Sequence, residues 1–313
     1  MKKLLLVFVA FFLFSSHDMF LKMDSSFLEP NTPSKIQLYN GTFDKSENTI
    51  DRNRMIDVSL VGNGIRTRVD TTQWTEKENT TILNFKTGEA GTWVAGVSTR
   101  ARDLAMSAKD FNEYLEHDGV IDMLEMRKKN NTLDQDAVER YSKHVKTIFQ
   151  VGDKKTDDWK TELGYPIEFV PLSNPYDLHS GDSFEAKLLW QGKPLANQLV
   201  YTDFESVGHG HSHSHGHEHD HDSEEGHSHD SADQLRTNEN GIVKMKISED
   251  GRWYLRTIYL AHSEAPGLTH ESNWATLTFE VNHSKGHAHG LPKFAYWLIG
   301  GLLLVMLFMY FRP

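Results

Sequence analysis

The sequence predicts a mainly β protein, with two β-sandwich domains separated by a helical hairpin and followed by a C-terminal transmembrane helix. Three features point to this architecture. Short runs on both sides of the middle alternate apolar and polar residues, the apolar period lengthens from two to about 3.6 near Ser107, and residues 294–311 are uncharged and apolar between Lys293 and Arg312. With 313 residues, 38% of them hydrophobic and 25% charged, the chain is long enough to bury two cores.

Residues 1–16 read as a secretory signal: Met1-Lys2-Lys3, the uncharged run 4–14, then the small pair Ser15-Ser16, leaving His17 at the mature N-terminus. Phe14 is a poor residue three before that cut, so an uncleaved N-terminal anchor is the alternative. Over 17–105, runs such as Ile36-Gln37-Leu38-Tyr39 and Ile56-Asp57-Val58-Ser59-Leu60 predict half-buried strands. Asn40-Gly41, Gly62-Asn63-Gly64 and Gly88-Glu89-Ala90-Gly91 supply the turns of this N-terminal sandwich.

The helical hairpin is assigned to 106–152. After a capping Ser107, the residues Phe111, Tyr114, Leu115, Val120, Met123 and Leu124 recur at helical spacing, with Gly119 dividing the run. A second helix is expected over 133–150, where Val138, Tyr141, Val145, Ile148 and Phe149 make one stripe. Alternation returns after Gly164 in six runs, predicting a C-terminal sandwich over 160–282. Gly91-Thr92-Trp93 and Gly251-Arg252-Trp253 echo each other, a weak sign of duplication. Tyr296, Trp297 and Tyr310 stand where interfacial aromatics belong, so 294–311 is expected to anchor the chain in the lipid bilayer as a single-pass membrane protein. The ectodomain would then lie in the periplasm or outside the cell, with the C-terminus cytoplasmic. Asn40-Gly41-Thr42 and Asn79-Thr80-Thr81 would be glycosylation acceptors in a eukaryote, but a Gram-negative periplasm is the favoured compartment.

A net charge of -11 offers no basic field to a polyanion, so no nucleic-acid partner is expected and cations are favoured. The absence of cysteine removes disulfides, thiolate metal sites and a thiol nucleophile. His-Glu-x-x-His, Gly-x-Ser-x-Gly and the P-loop pattern are all missing, so the chain is expected not to be an enzyme.

Half of the 18 histidines fall in one loop, 208–230: His209, His211, His213, His215, His217, His219, His221, His227 and His229. Neutral imidazole binds nickel, cobalt, zinc and copper, and the interspersed Gly and Ser allow rings to converge without a prebuilt cage. Glu218, Asp220, Asp222, Glu224, Glu225 and Asp230 add charge that concentrates cations. The alternative reading is a solvated insertion that binds nothing. If cleavage falls before His17, its terminal amine and Nδ1 chelate one ion in a ring, with His117 or His262 as candidate third ligands. His283, His287 and His289 form a smaller cluster ahead of the span, a relay for ions or a spacer. His144, beside the expected helical stripe, reads as a satisfied half-buried histidine, while His179 and His270 lie in turn-rich stretches without a pattern.

Several of these segments together resemble a known family: His17-Asp18-Met19-Phe20, then Tyr141-Ser142-Lys143-His144-Val145-Lys146, then Leu163-Gly164-Tyr165-Pro166-Ile167-Glu168-Phe169-Val170-Pro171. Gly192-Lys193-Pro194-Leu195, Asn238-Glu239-Asn240-Gly241 and Gly251-Arg252-Trp253 follow in order. Their sequence along the chain resembles the domain-of-unknown-function family numbered 4198, and the sandwiches would be of immunoglobulin-like or carboxypeptidase-regulatory-like type. The resemblance implies an extracytoplasmic component associated with nickel or cobalt uptake. The histidine loop and the C-terminal span depart from the simplest members and imply tethering. The function expected is therefore a membrane-tethered binding protein for a divalent transition metal, nickel or cobalt favoured and zinc or copper the other candidates, that feeds or buffers metal for a membrane metal permease. The alternative is a cell-surface adhesion or carbohydrate-binding sandwich with incidental zinc buffering.

Overall fold

A computed structural model describes residues 17–207 and 232–282. The protein is mainly β and its sheets are open. Its first half contains β1 (Asp18–Lys22), β2 (Phe27–Leu28), β3 (Pro33–Gly41), β4 (Met55–Gly62), β5 (Ile65–Arg68), β6 (Trp74–Lys77), β7 (Thr80–Lys86), β8 (Gly91–Thr99) and β9 (Arg102–Met106). Helices α1 (Ala108–His117) and α2 (Ile121–Asn130) then lead into the 15-residue β10 (Ala137–Val151). The second half adds β11 (Ile167–Pro171), β12 (Ser183–Trp190), β13 (Lys193–Pro194), β14 (Leu199–Glu205), β15 (Asp233–Arg236), β16 (Ile242–Lys246), β17 (Gly251–His262) and β18 (His270–Val281).

One ten-stranded sheet runs β15-β14-β17-β18-β10-β8-β4-β5, with β2 and β9 also paired to β10. Two four-stranded sheets, β1-β3-β7-β6 and β11-β12-β13 with β16, cover its opposite faces. The period of two shows this directly. Leu60, Ala95, Val97, Val145 and Phe149 pack with Leu21, Leu38 and Leu83 of the first small sheet. Their odd-and-even neighbours Val61, Val94 and Ile148 pack with Phe169, Phe184 and Leu188 of the second. The helical pair lies on the first face too, where Phe111, Leu115 and Met123 meet Ile258 and Trp274. Beside it, Thr276 and Thr278 of β18 donate to the backbone oxygens of Met19 and Leu21 in β1.

Ser107 caps α1 by accepting from the Asp110 backbone N–H at 3.2 Å, as the sequence predicts. Gly119 ends that helix at φ +72°, a left-handed conformation in which an added Cβ would run into the Tyr201 ring. The expected second helix over 133–150 is not there: α2 ends at Asn130, and β10 occupies nearly all of that segment. Both faces of β10 are covered from Ser142 onward, so it shows no apolar–polar alternation, and its apolar residues fall at helical spacing by coincidence.

This correction changes how the two β regions join. β10 runs antiparallel to β9 and β8 of the first region and parallel to β18 of the second, from Glu139 opposite His270 to Thr147 opposite Thr278. The two regions share a continuous sheet and are not linked through a helical hairpin spanning 106–152. Among the described residues no helix is long and apolar enough to cross a membrane; the expected span 294–311 and signal 1–16 lie outside them.

A buried ion pair locks β10 to the sheet above it. Lys146, 1% exposed, donates to Glu168 Oε2 at 2.9 Å and to the carbonyls of Thr161 and Phe169. The Glu168 carboxylate in turn accepts the backbone N–H groups of Leu163, Gly164 and Tyr165, folding that loop onto the sheet. Lys146→Met should therefore cost about 3–5 kcal/mol, because it leaves a buried carboxylate without its cation. Glu168→Leu should cost more, since it strands a buried ammonium and three amides together. Urea denaturation of the two variants checks the order; equal midpoints would show that the amide bonds add nothing.

Candidate functional site

The edge of β1 and the start of the helical pair meet over the large sheet and form a polar seam. His17 enters it just ahead of β1. Its Nδ1 lies 2.8 Å from Glu47 Oε2 and its Nε2 lies 3.2 Å from the Asn48 side-chain amide. The two contacts suit a neutral ring with the proton on Nδ1. Burial lowers the His17 pKa against the pull of Glu47, which keeps the imidazole in the neutral form that binds metals. Any ion taken by Nδ1 must displace the Glu47 contact or share it.

The candidate third ligands divide. Nδ1 of His117, at the end of α1, is 3.1 Å from Asp118 Oδ1, which raises its pKa. Both His17 and His117 feel the charges of Asp18 and Asp118, so the structure brings them into one electrostatic neighbourhood. His262 is placed elsewhere. Asp18 ion-pairs with Arg256 at 2.5 Å, and His262 stands six residues further along β17, about 20 Å at strand spacing. Its ring instead lies 4.7 Å from that of His270, its partner across the hairpin. Among the described residues, no three His, Cys, Asp or Glu side chains come together as a metal site. The histidines 209–229 and 283–289 lie outside the described residues.

Other histidines are structural. His144 is 2% exposed in β10, with Nδ1 2.9 Å from Ser98 Oγ and Nε2 3.1 Å from Ser142 Oγ, so the satisfied reading holds although the element is a strand. His270, expected in a turn, opens β18 and is 3% exposed.

The seam also gathers residues that the sequence does not single out. Glu139 is buried and accepts from Tyr114 Oη at 3.1 Å and from Ser272 Oγ; burial lifts its pKa to about 7. Lys143, 4% exposed, donates to the His17 carbonyl, and burial lowers its pKa to about 8. Arg54 packs on the Tyr141 ring and donates to its hydroxyl at 3.2 Å. Beside these groups opens a cavity of about 290 Å³. A larger hollow near Tyr165, about 560 Å³, is lined by groups that satisfy one another: Asp57 accepts from Tyr165 at 2.7 Å and from Arg66 at 2.8 Å.

A three-layered β module whose polar seam lies at its N-terminal strand is thus the class of protein that fold and site define. The chain belongs to the domain-of-unknown-function family DUF4198, whose model matches residues 14–261. No curated protein matches it. Among solved structures, it is similar to a Salmonella alpha-2-macroglobulin mutant, with 10% identity over 84% of this chain and a TM-score of 0.21. It is also similar to the D0-D1 domain of intimin, with 12% identity, 84% of this chain, 97% of that one and a TM-score of 0.17. The chain spans only 15% of the macroglobulin's length, and likenesses at these scores carry no weight.

The buried histidines set a pH dependence. Burial depresses His144 and His270 from 6.5 to about 4, so between those values the unfolded chain binds the protons that the folded one refuses. Their contribution is full above pH 6.5 and is lost as pH falls toward 4. Glu139, raised from 4.5 to about 7, acts with the opposite sign across its own window. His17, also lowered by burial, adds to the loss on acidification, and Asp118, raised by burial, adds to the opposing sign. His144 and His270 each contribute a slope of up to about 1.4 kcal/mol per pH unit within their window. His144→Gln should flatten that slope in urea titrations at several pH values; an unchanged slope would show that His144 is protonated in the fold.

Proposed function

We propose that this chain is a membrane-tethered extracytoplasmic binding protein for a divalent transition metal, nickel or cobalt favoured, that buffers the metal or feeds it to a membrane permease. The observation that carries the reading is the histidine run and its place in the chain. Residues 208–230 connect β14 to β15, two antiparallel neighbours at one end of the large sheet, so ligands are added without interrupting the core. The strand at its root is held firmly: Glu205, the last residue of β14, pairs with Lys22 at 2.6 Å and with Arg252.

A second metal position, distinct from the loop, is proposed at His17, where a terminal amine and Nδ1 would chelate one ion. A loop of interchangeable imidazoles supplies capacity, and a terminal chelate supplies a single tighter site. Family membership supports an extracytoplasmic setting through the resemblance described above, and the apolar stretch 294–311 supports the tether.

Deleting 208–230 leaves Ser206, Val207, Ser231 and Ala232 between the paired strands, an ordinary hairpin length. The purified chain should then lose most of its bound nickel or cobalt while its melting temperature changes little. Unchanged metal stoichiometry would remove the storage role, and loss of folding would assign the loop a structural one. Mass spectrometry of the mature N-terminus comes first for His17. If it is terminal, one added residue ahead of it in the loop-deleted chain should weaken nickel binding at least tenfold, about 1.4 kcal/mol, because the amine leaves the chelate. Equal affinity with and without that residue would sink the site.

A further inference from the structure

The seam cavity gathers cationic side chains in a chain that is acidic as a whole. The whole chain carries -11, yet three cationic side chains, Lys143, Arg54 and Arg102, line this one hollow. Its two carboxylates are already engaged. Asp103 is gripped by Arg140 through two bonds of 2.6 and 2.8 Å, and Glu139 accepts from Tyr114 and Ser272. Glu139 feels Lys143 through space, but neither carboxylate bonds one of the three cations.

Lys143 is the most informative of the three. It is 4% exposed, and among the described residues no carboxylate lies within ion-pair distance of its ammonium. That group has three N–H bonds; it gives one to the His17 carbonyl and otherwise faces the Trp274 and Tyr141 rings, at 4.8 and 5.9 Å. Asp18 and Asp118 act on the ammonium through space, but neither bonds it, so donors of a buried ammonium are left for a ligand. Arg54, half-buried, lines the same hollow and packs on the same Tyr141 ring. Two of its nitrogens bond the Tyr141 hydroxyl and the Arg100 carbonyl, while its buried Nε has no partner. Arg102 stands exposed at the rim, opposite Tyr141 in the β9–β10 pairing. Buried Lys143, half-buried Arg54 and exposed Arg102 thus line one hollow of about 290 Å³, the lower end of small-molecule sites.

The remaining wall chooses between kinds of anion. Leu104, Met106 and Tyr114 give it an apolar flank that an inorganic oxyanion would not use. A guanidinium and an ammonium that line one hollow can meet the two oxygens of a carboxylate between them. We propose that the seam cavity binds a small organic carboxylate, with its anionic head on Lys143 and Arg54 and its body against Leu104, Met106 and Tyr114. The site lies beside His17 but does not rest on the metal reading, because no metal ligand is needed to hold the anion.

The test uses the full chain, stripped of metal with a chelator that is then removed by dialysis. Calorimetric titrations with benzoate, succinate and citrate are set against inorganic phosphate and the uncharged benzamide. At least one carboxylate should bind saturably at one per chain, while phosphate and benzamide should not. Arg54→Gln and Lys143→Met should each weaken that binding tenfold or more, and Arg102→Gln, a change at an exposed position, by a few fold. Thermal melting shows which variants remain folded; because Arg102 is exposed, its variant keeps the test decisive if Lys143→Met does not fold. Binding of no carboxylate, benzamide binding as well as benzoate, or affinity unchanged in the folded variants would overturn the proposal. Phosphate binding as tightly as the carboxylates would overturn the organic assignment. Because every titration is done without metal, a failed metal reading and a failed carboxylate site give separate results.

Discussion

The large sheet is covered on both faces, and this constraint governs every polar side chain in its middle strands. With no solvent on either side, each must find its partner inside the protein or remain unpaired at a cost. Lys146 finds Glu168 in the layer above, Arg256 finds Asp18 in the layer below, and His144 is held by Ser98 and Ser142 within the sheet itself. These contacts fix the layers against one another in a way that apolar packing, which tolerates sliding, does not. Among the described residues His270 Nε2 and Arg256 Nη2 lack a hydrogen-bond partner, and Lys143 bonds only the His17 carbonyl where it lines the seam cavity.

Where an element has one wet face, its sequence announces it. β3 and β7 alternate buried and accessible residues, and α1 shows its cap and apolar stripe, so these were open to reading from periodicity alone. β10 was not. Once both faces are buried the period-two signal vanishes, and what remained, Val138, Tyr141, Val145, Ile148 and Phe149, imitated a helix. That one misreading had consequences for topology, because β10 is the strand through which the two β regions become a single sheet.

The site divides along the same line. His17 and the histidine run are visible because residue type and local spacing suffice to suggest their chemistry. The seam is assembled from distant segments: Arg54 reaches Tyr141 across 87 positions, and Arg256 reaches the Asp118 carbonyl across 138. Glu139 and Lys143 are two of four charged residues in β10, with Arg140 and Lys146, and a helical reading turns such charges toward solvent. In a strand covered on both sides Glu139 and Lys143 turn inward. Leu163-Gly164-Tyr165-Pro166-Ile167-Glu168 shows the reverse case: among the segments that carry the family resemblance, its acidic residue serves to hold a loop and a lysine.

β1 has a further consequence for how the molecule comes into being. It is the first described strand, every residue of it is buried, and two of its carbonyls are bonded from β18 across 257 positions of chain. β18 also lies parallel to β10, so the middle of the large sheet stays incomplete until the last strand arrives. Such long-range closure is slow, because the entropy of a very large loop must be lost before any contact rewards it. A chain emerging from its N-terminus cannot finish one β region and then begin the other. It must hold β1 and β10 with open edges until residue 281 is available, and over that interval it is most exposed to pairing with the wrong neighbour.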